Sequence, residues 1–284
     1  MTLAVFVASA SAPKLIARFG VRSTLVLGMS LATLGWGAPG VLLPIAGGLL
    51  ALALFALVEG RIARDPLIPL DVFRMPQLRA ANLIVALLFS AMFGMWFFVS
   101  LYLQKVQGDD ALLAGISFLP MTLGVFVASA SAPKLIARFG LRATLVFGMS
   151  LTTVGFLVLA TVTPTSAYEV AILPGGVLAS LGTGWSVVPA TIVAVKGVSA
   201  EQNGLASGVV NTSRLVGGTL GLAVLSTIAT SRTNHLLASG HGTFDALTDG
   251  YKLAFLISAG VCAIAIFAAA TLIRRSPRPV PQAA

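Results

Sequence analysis

Residues 80–103 read AANLIVALLFSAMFGMWFFVSLYL, twenty-four positions without one charged side chain. As a helix rising about 1.5 Å per residue, this stretch exceeds the roughly 30 Å hydrocarbon core of a bilayer. Five more long apolar runs follow, at 112–133, 143–161, 170–195, 206–229 and 251–273, the last two holding one cation each, Arg214 and Lys252. Ahead of them a charge-free run from 23 to 58 is too long for one span and is broken by Gly35-Trp36-Gly37-Ala38-Pro39-Gly40. It reads as a hairpin of two short spans. The 284 residues are 57% hydrophobic and 10% charged, with a mean hydropathy of +0.97. A soluble domain carries about 25% charged residues, so the balance excludes a soluble enzyme and a disordered chain alike. The expected fold class is all-α, a polytopic membrane helical bundle.

The formal net charge of +9 then acquires a topological meaning. When spans alternate sides, fourteen of the eighteen Lys and Arg fall in one set of loops and the tail. The opposite side holds only Lys105, Arg232 and Lys252, and Arg214 sits inside a span. Cationic loops stay in the cytoplasm, so the chain is expected to be a multi-pass protein of the cell membrane with a cytoplasmic C-terminus. The lipid bilayer therefore accounts for the basic excess, and no nucleic-acid partner is expected. Cys262, the only cysteine, cannot form an intrachain disulfide, and His235 and His241 are the only histidines. The sequence thus offers no metal-ligand spacing, no catalytic grouping of Ser, His and acid, and no expected cofactor.

An internal repeat dominates the N-terminal part. Residues 1–35, MTLAVFVASASAPKLIARFGVRSTLVLGMSLATLG, recur at 121–155 as MTLGVFVASASAPKLIARFGLRATLVFGMSLTTVG, with 29 of 35 positions identical. Two near-identical copies 120 residues apart are not a solenoid, and they are far more alike than the weak internal symmetry of transporter folds. Residues 1–40 are accordingly expected to be a partial copy with incomplete spans. A segment of a rearranged or truncated gene product, joined to a different part of its parent near Gly35, explains the pattern; a functional duplication is the alternative.

From about Gly35 to Arg275 the chain resembles the C-terminal part of the fourteen-span drug:proton antiporter branch of the major facilitator superfamily. The resemblance rests on Leu57-Val58-Glu59-Gly60-Arg61 followed by Asp65-Pro66-Leu67-Ile68-Pro69-Leu70, and on Tyr102-Leu103-Gln104 followed by Gly115 and Leu119-Pro120. It continues through Gly204-Leu205-Ala206-Ser207-Gly208, Asn211-Thr212-Ser213-Arg214, Gly217-Gly218 and Gly221. The resemblance implies an extra central helix at 41–58, a cytoplasmic linker at 59–79, a six-helix bundle at 80–275 and a cytoplasmic tail at 276–284. It implies multidrug efflux by proton antiport of lipophilic or cationic small molecules, with a second bundle supplied in trans. A non-transporting membrane remnant and a nutrient or metabolite permease are the alternatives. The loop with Lys134, Arg138, Gly140 and Arg142 resembles the superfamily's cytoplasmic signature, but Ala137, and Ala17 in the first copy, stand where that signature has an aspartate.

Several residues are candidates for substrate contact. Arg214 is the one basic residue well inside a span; intramembrane charges are costly and usually functional, and the alternative is a side chain that snorkels to the cytoplasmic interface or bonds neighbouring carbonyls. Asn82 and Asn211 offer hydrogen bonds within the bilayer, to a substrate or across helices. Met92, Met95, Trp96, Phe97 and Phe98 form a cluster of soft, polarizable side chains suited to lipophilic cations, and Trp185 lies mid-span in the fourth helix; rings that pack in the bundle or face lipid are the commoner alternative. Gly204 with Gly208, and Gly217 with Gly221, are each four residues apart and are expected to let helices approach closely. Pro174, Gly175, Gly176, Gly182, Gly184 and Pro189 are expected to interrupt and bend one span as an alternating-access hinge.

Overall fold

The computed structural model describes residues 75–196 and 203–273, together with Gly47 and Leu50, which are helical. The duplicated segment 1–40, the remainder of 41–58, the linker up to residue 74 and the tail 276–284 lie outside the described residues. The chain divides into two compact units between Asp71 and Val72, and the fold below is that of the second.

Seven helices follow one another between residues 75 and 273: α1 (Pro76–Lys105), α2 (Ala111–Ser117), α3 (Leu119–Phe139), α4 (Leu141–Leu159), α5 (Ile172–Val195), α6 (Asn203–Ala238) and α7 (Thr243–Leu272). Among the described residues there is no strand. With α2 and α3 taken as one stretch, six helical segments among the described residues are long and apolar enough to cross a membrane. The all-α bundle expected from the sequence is therefore present, and the chain is a multi-pass membrane protein.

Local chemistry sets the boundaries. Pro76 opens α1 in the first turn, where its missing N–H has no intrahelical partner to lose. The first span thus starts four residues before the expected limit at 80, taking 76–79 from the proposed linker. Asp110 caps α2 by accepting the Leu113 N–H at 2.7 Å. The break at Phe118 between α2 and α3 follows from Pro120, which has no N–H for the Ile116 carbonyl and whose ring crowds it. Gly140, with φ of 85°, turns α3 directly into α4, a conformation that a side chain would strain.

The interior is built around α1, which packs on α5, α6 and α7. Leu88, Met92, Met95 and Val99, at helical spacing, are fully buried with Tyr102 at the end of the same face. They join Phe156 of α4 and Phe255 of α7 in one core cluster. Small residues bring the helices together where lipid offers no hydrophobic drive to do so. A Cβ built on Gly155 would lie 2.4 Å from the Ala179 nitrogen, and one on Gly182 would lie 2.3 Å from the Gly148 oxygen, so α4 and α5 touch backbone to backbone.

This seam corrects the reading of α5 as an interrupted span. The helix is continuous from Ile172 to Val195, with Pro174 in its first turn and Pro189 inside it. Its glycines are spent on contact with neighbours: Gly175 and Gly182 on α4, Gly176 and Gly184 on α3. Coverage also differs among the spans. In the most apolar window of α1 and of α5, 56% of residues are buried, against 22% for α2–α3 and 17% for α6.

Candidate functional site

Arg214 lies on α6 three residues after Asn211, one turn along the same face. Its Nη2 donates to Asn211 Oδ1 at 2.6 Å. The guanidinium carbon stands 5.1 Å from the centroid of Phe89 on α1, a cation–π geometry. The charge is thus held between two helices, by an amide on its own helix and a ring on the neighbour. Asn211 is committed to Arg214 and does not bridge helices.

Phe89 begins a line of rings. It meets Phe93 edge-on at 6.2 Å, and Phe93 meets Trp96 at 5.8 Å in a tilted arrangement. Positions 89, 93 and 96 are spaced i, i+4, i+7 and share one face of α1. Phe93 lies over Gly218 of α6, where a Cβ would come 2.7 Å from its ring. Gly217 and Gly221 on α6 make room in the same way: a Cβ on the first would lie 2.4 Å from the Ala86 oxygen, and one on the second 2.0 Å from Ser90 Oγ. The close approach expected at Gly217 and Gly221 is real, and it seats the strip Arg214–Phe89–Phe93–Trp96 along the α1–α6 seam. Trp96, 41% exposed, ends the strip at the bundle surface. Near its other end, Asn82 Oδ1 is buried without a hydrogen-bond partner.

The structure separates the residues that the sequence suggested as one pocket. Met92 and Met95 are fully buried in the bundle core, whereas Trp96, one turn from Met92, stands at the edge of that cover. Phe98 also turns inward, 5.6 Å from Tyr251 and 6.3 Å from Phe255 of α7, while Phe97 is 39% exposed and touches Phe98 edge-on. The single soft cluster is corrected to a core side and a surface side, because the four consecutive residues 95–98 must point around a helix. Trp185 belongs to a third place. Its Nε1 donates to Ser131 Oγ of α3 at 2.9 Å, and its ring lies 5.5 Å from Phe147 of α4. Phe89 and Phe93 were missed in the sequence, although their spacing with Trp96 was there to be found.

Gly204 and Gly208 need a second correction. No atom among the described residues lies within 4 Å of a Cβ built on either, so they make no close helix contact there. In the signature-like loop, the Arg142 guanidinium donates to the Ala270 carbonyl of α7, and the Arg138 guanidinium lies 5.3 Å from the Phe139 ring. Lys134 and Ala137 are exposed. Arg142 therefore ties the start of α4 to the end of α7. At the other end of the bundle, Tyr168 Oη donates to the Ser117 carbonyl at 2.6 Å. Burial, with the Glu169 carboxylate adding to it, raises the Tyr168 hydroxyl above its ordinary value, so it stays protonated and able to donate.

Carboxylates are absent from the interior of the described spans. Asp245 and Asp249 stand in the first two turns of α7, and Asp109, Asp110 and Glu169 lie in connections. Among the described residues no group of His, Cys, Asp and Glu could hold a metal ion.

Residues 34–222 match the family model described as Major Facilitator Superfamily. A cephamycin export protein of Amycolatopsis lactamdurans is 39% identical over 201 residues, covering 70% of this chain and 41% of the relative. A puromycin resistance protein of Streptomyces alboniger is 35% identical over 247 residues, 84% of this chain and 49% of the relative. A tetracenomycin C resistance and export protein of Streptomyces glaucescens is 36% identical over 198 residues, covering 70% and 36%. The chain spans less than half the length of each of these relatives.

Proposed function

The chain belongs to the Major Facilitator Superfamily, and from that premise we propose that it forms one six-helix bundle of an exporter of antibiotic-like, lipophilic or cationic small molecules. The observation that carries this reading is the strip on the α1–α6 seam. A guanidinium held by Asn211 and Phe89 leads through Phe93 to the exposed indole of Trp96. Aromatic faces attract lipophilic cations, and one fixed charge among them discriminates between substrates by sign. The export and resistance functions named for the relatives agree in class.

The poorly covered helices α2–α3 and α6 are the surfaces on which a second bundle packs, supplied in trans or by a longer form of the protein. Transporters of this architecture rock two bundles about a midplane site, so one bundle encloses no path by itself. Proton antiport draws its titrating carboxylate from the second bundle, since the described spans hold none in their interior. On this reading the C-terminus is cytoplasmic, which the distribution of Lys and Arg supports.

The test is accumulation of puromycin and of ethidium in drug-sensitive bacteria expressing the chain with the N-terminal bundle of the puromycin resistance relative. Trp96→Ala with Phe97→Ala is expected to raise accumulation of ethidium several-fold at unchanged protein level. Unchanged efflux of several dyes in that double variant would end the assignment of the strip to substrate.

A further inference from the structure

A second polar site lies at the opposite end of the bundle from Arg142. A cavity of about 300 Å³ opens between the α4–α5 connection, the end of α6 and the first turns of α7. Its lining includes Val162, Thr163 and Pro164 from the connection, and Arg232 and Leu236 from α6. His241 of the α6–α7 turn completes that wall. The wall from α7 consists of Asp245, Thr248, Asp249 and Lys252, spaced i, i+3, i+4, i+7 on one helix face.

The walls are fixed independently of any ligand. Tyr102 Oη donates to the Thr163 carbonyl at 2.7 Å and Gln107 Nε2 to the Ser166 carbonyl at 2.7 Å, pinning the connection from behind. On the other side Arg232 donates through Nε and Nη2 to Asp249 Oδ2 at 2.9 and 2.8 Å, so these two charges cancel. The His241 N–H bonds the Leu236 carbonyl at 3.1 Å.

Two donors in the lining are left over. Threonine hydroxyls in this bundle bond the carbonyl four residues back, as those of Thr144, Thr153, Thr191 and Thr271 do. Thr248, only 2% exposed, has no partner for its hydroxyl. One turn further into the span stands Lys252, half-buried, with no ion-pair or hydrogen-bond partner among the described residues. Asp245 carries the remaining negative charge, but it is exposed at the rim, where water solvates it. An unpaired ammonium beside an unpaired hydroxyl, next to Val162, Pro164 and Leu236, favours an anion with two acceptor oxygens.

We propose that this cavity binds a small carboxylate, with Lys252 and Thr248 donating to its two oxygens. The arrangement does not depend on the transport reading, since it uses none of the residues on the α1–α6 seam. The Arg232–Asp249 pair remains as it is on binding, and the ligand enters from the loop side.

The measurement is thermal unfolding of the purified full chain in detergent, followed by tryptophan fluorescence, during titration with acetate and with benzoate against chloride at equal ionic strength. A saturable rise in Tm with the carboxylates, absent with chloride, is expected. Thr248→Val, which keeps the shape and removes the hydroxyl, and Lys252→Gln should each weaken the apparent Kd by about tenfold or more, the loss of one charge-assisted bond. Lys105→Gln, outside the cavity, should leave it unchanged. No saturable shift beyond that of chloride, or a shift that survives in both Thr248→Val and Lys252→Gln, would overturn the proposal. Saturation by inorganic phosphate at lower concentration than by either carboxylate would overturn the assignment of the ligand.

Discussion

At Arg214 a charge inside a membrane span is made tolerable by two dissimilar partners. The Asn211 amide oxygen takes one N–H, and the Phe89 ring takes the face of the guanidinium. Both depend on the planar fork, which lysine lacks. Arg214→Lys is therefore expected to lower stability by about 1 kcal/mol even though the charge is kept, read as a fall in Tm of the purified protein. A Tm equal to that of the parent would show that only the charge matters. Trp185 presents the complementary case. Trp185→Phe retains a ring against Phe147 and loses the bond to Ser131, about 1 kcal/mol, whereas Ser131→Ala should cost a similar amount and add little in the double variant. Arg214 and Trp185 were both legible from their types and depth in the sequence. Their partners were not, because residues 89 and 214, or 131 and 185, are brought together only by tertiary packing. Met92 and Trp96 were read as neighbours because they stand one turn apart on α1, but the other helices cover Met92 completely and leave Trp96 at the edge of that cover, 41% exposed.

Among the elements, α5 and α6 use glycine in the same way against different neighbours. Gly217 and Gly221 let α6 reach the backbone of α1, and Gly155 with Gly182 lets α4 reach α5. Gly217→Ala is expected to destabilise the bundle by about 1–3 kcal/mol, since the added methyl meets the Ala86 backbone and not a movable side chain. Gly204→Ala should be neutral or stabilising by up to about 1 kcal/mol, because its Cβ enters open space and helix propensity improves. Thermal unfolding of the two variants side by side decides the matter, and equal effects would contradict the seam. Spacing of four residues identified both pairs in the sequence but could not tell which faced a helix. The repeat shows the same limit. Of the six positions at which residues 1–35 differ from 121–155, Gly124, Phe147 and Thr152 are ones that touch α5 in the second copy. The first copy has Ala4, Leu27 and Ala32 there, so it lacks the ring that meets Trp185 and the hydroxyl that bonds Ala179.

Over the whole molecule, the uneven burial of the spans is the main structural argument about function. Helices α2–α3 and α6 hold large apolar side chains in the open, among them Leu123, Phe126, Leu220 and Val224. Lipid can cover them, but the strip that ends at Trp96 also opens along α6, and a path for a substrate needs a wall on its other side. Among the described residues the six spans and their order were legible in the sequence, because about twenty apolar residues in a row have few alternatives in water or lipid. The opposition of α1 to α6 was not, since apolar runs carry no record of which neighbour each one meets. The most direct measurement is flux of a fluorescent cationic dye in proteoliposomes under a pH gradient, with this chain reconstituted alone and together with the N-terminal bundle of the puromycin resistance relative. Dye movement coupled to the gradient is expected only when both bundles are present, and it should fall several-fold with Arg214→Ala. Dye movement by the chain alone at the same rate, or none in either preparation when both proteins are folded, would contradict the reading of this chain as one bundle of an exporter.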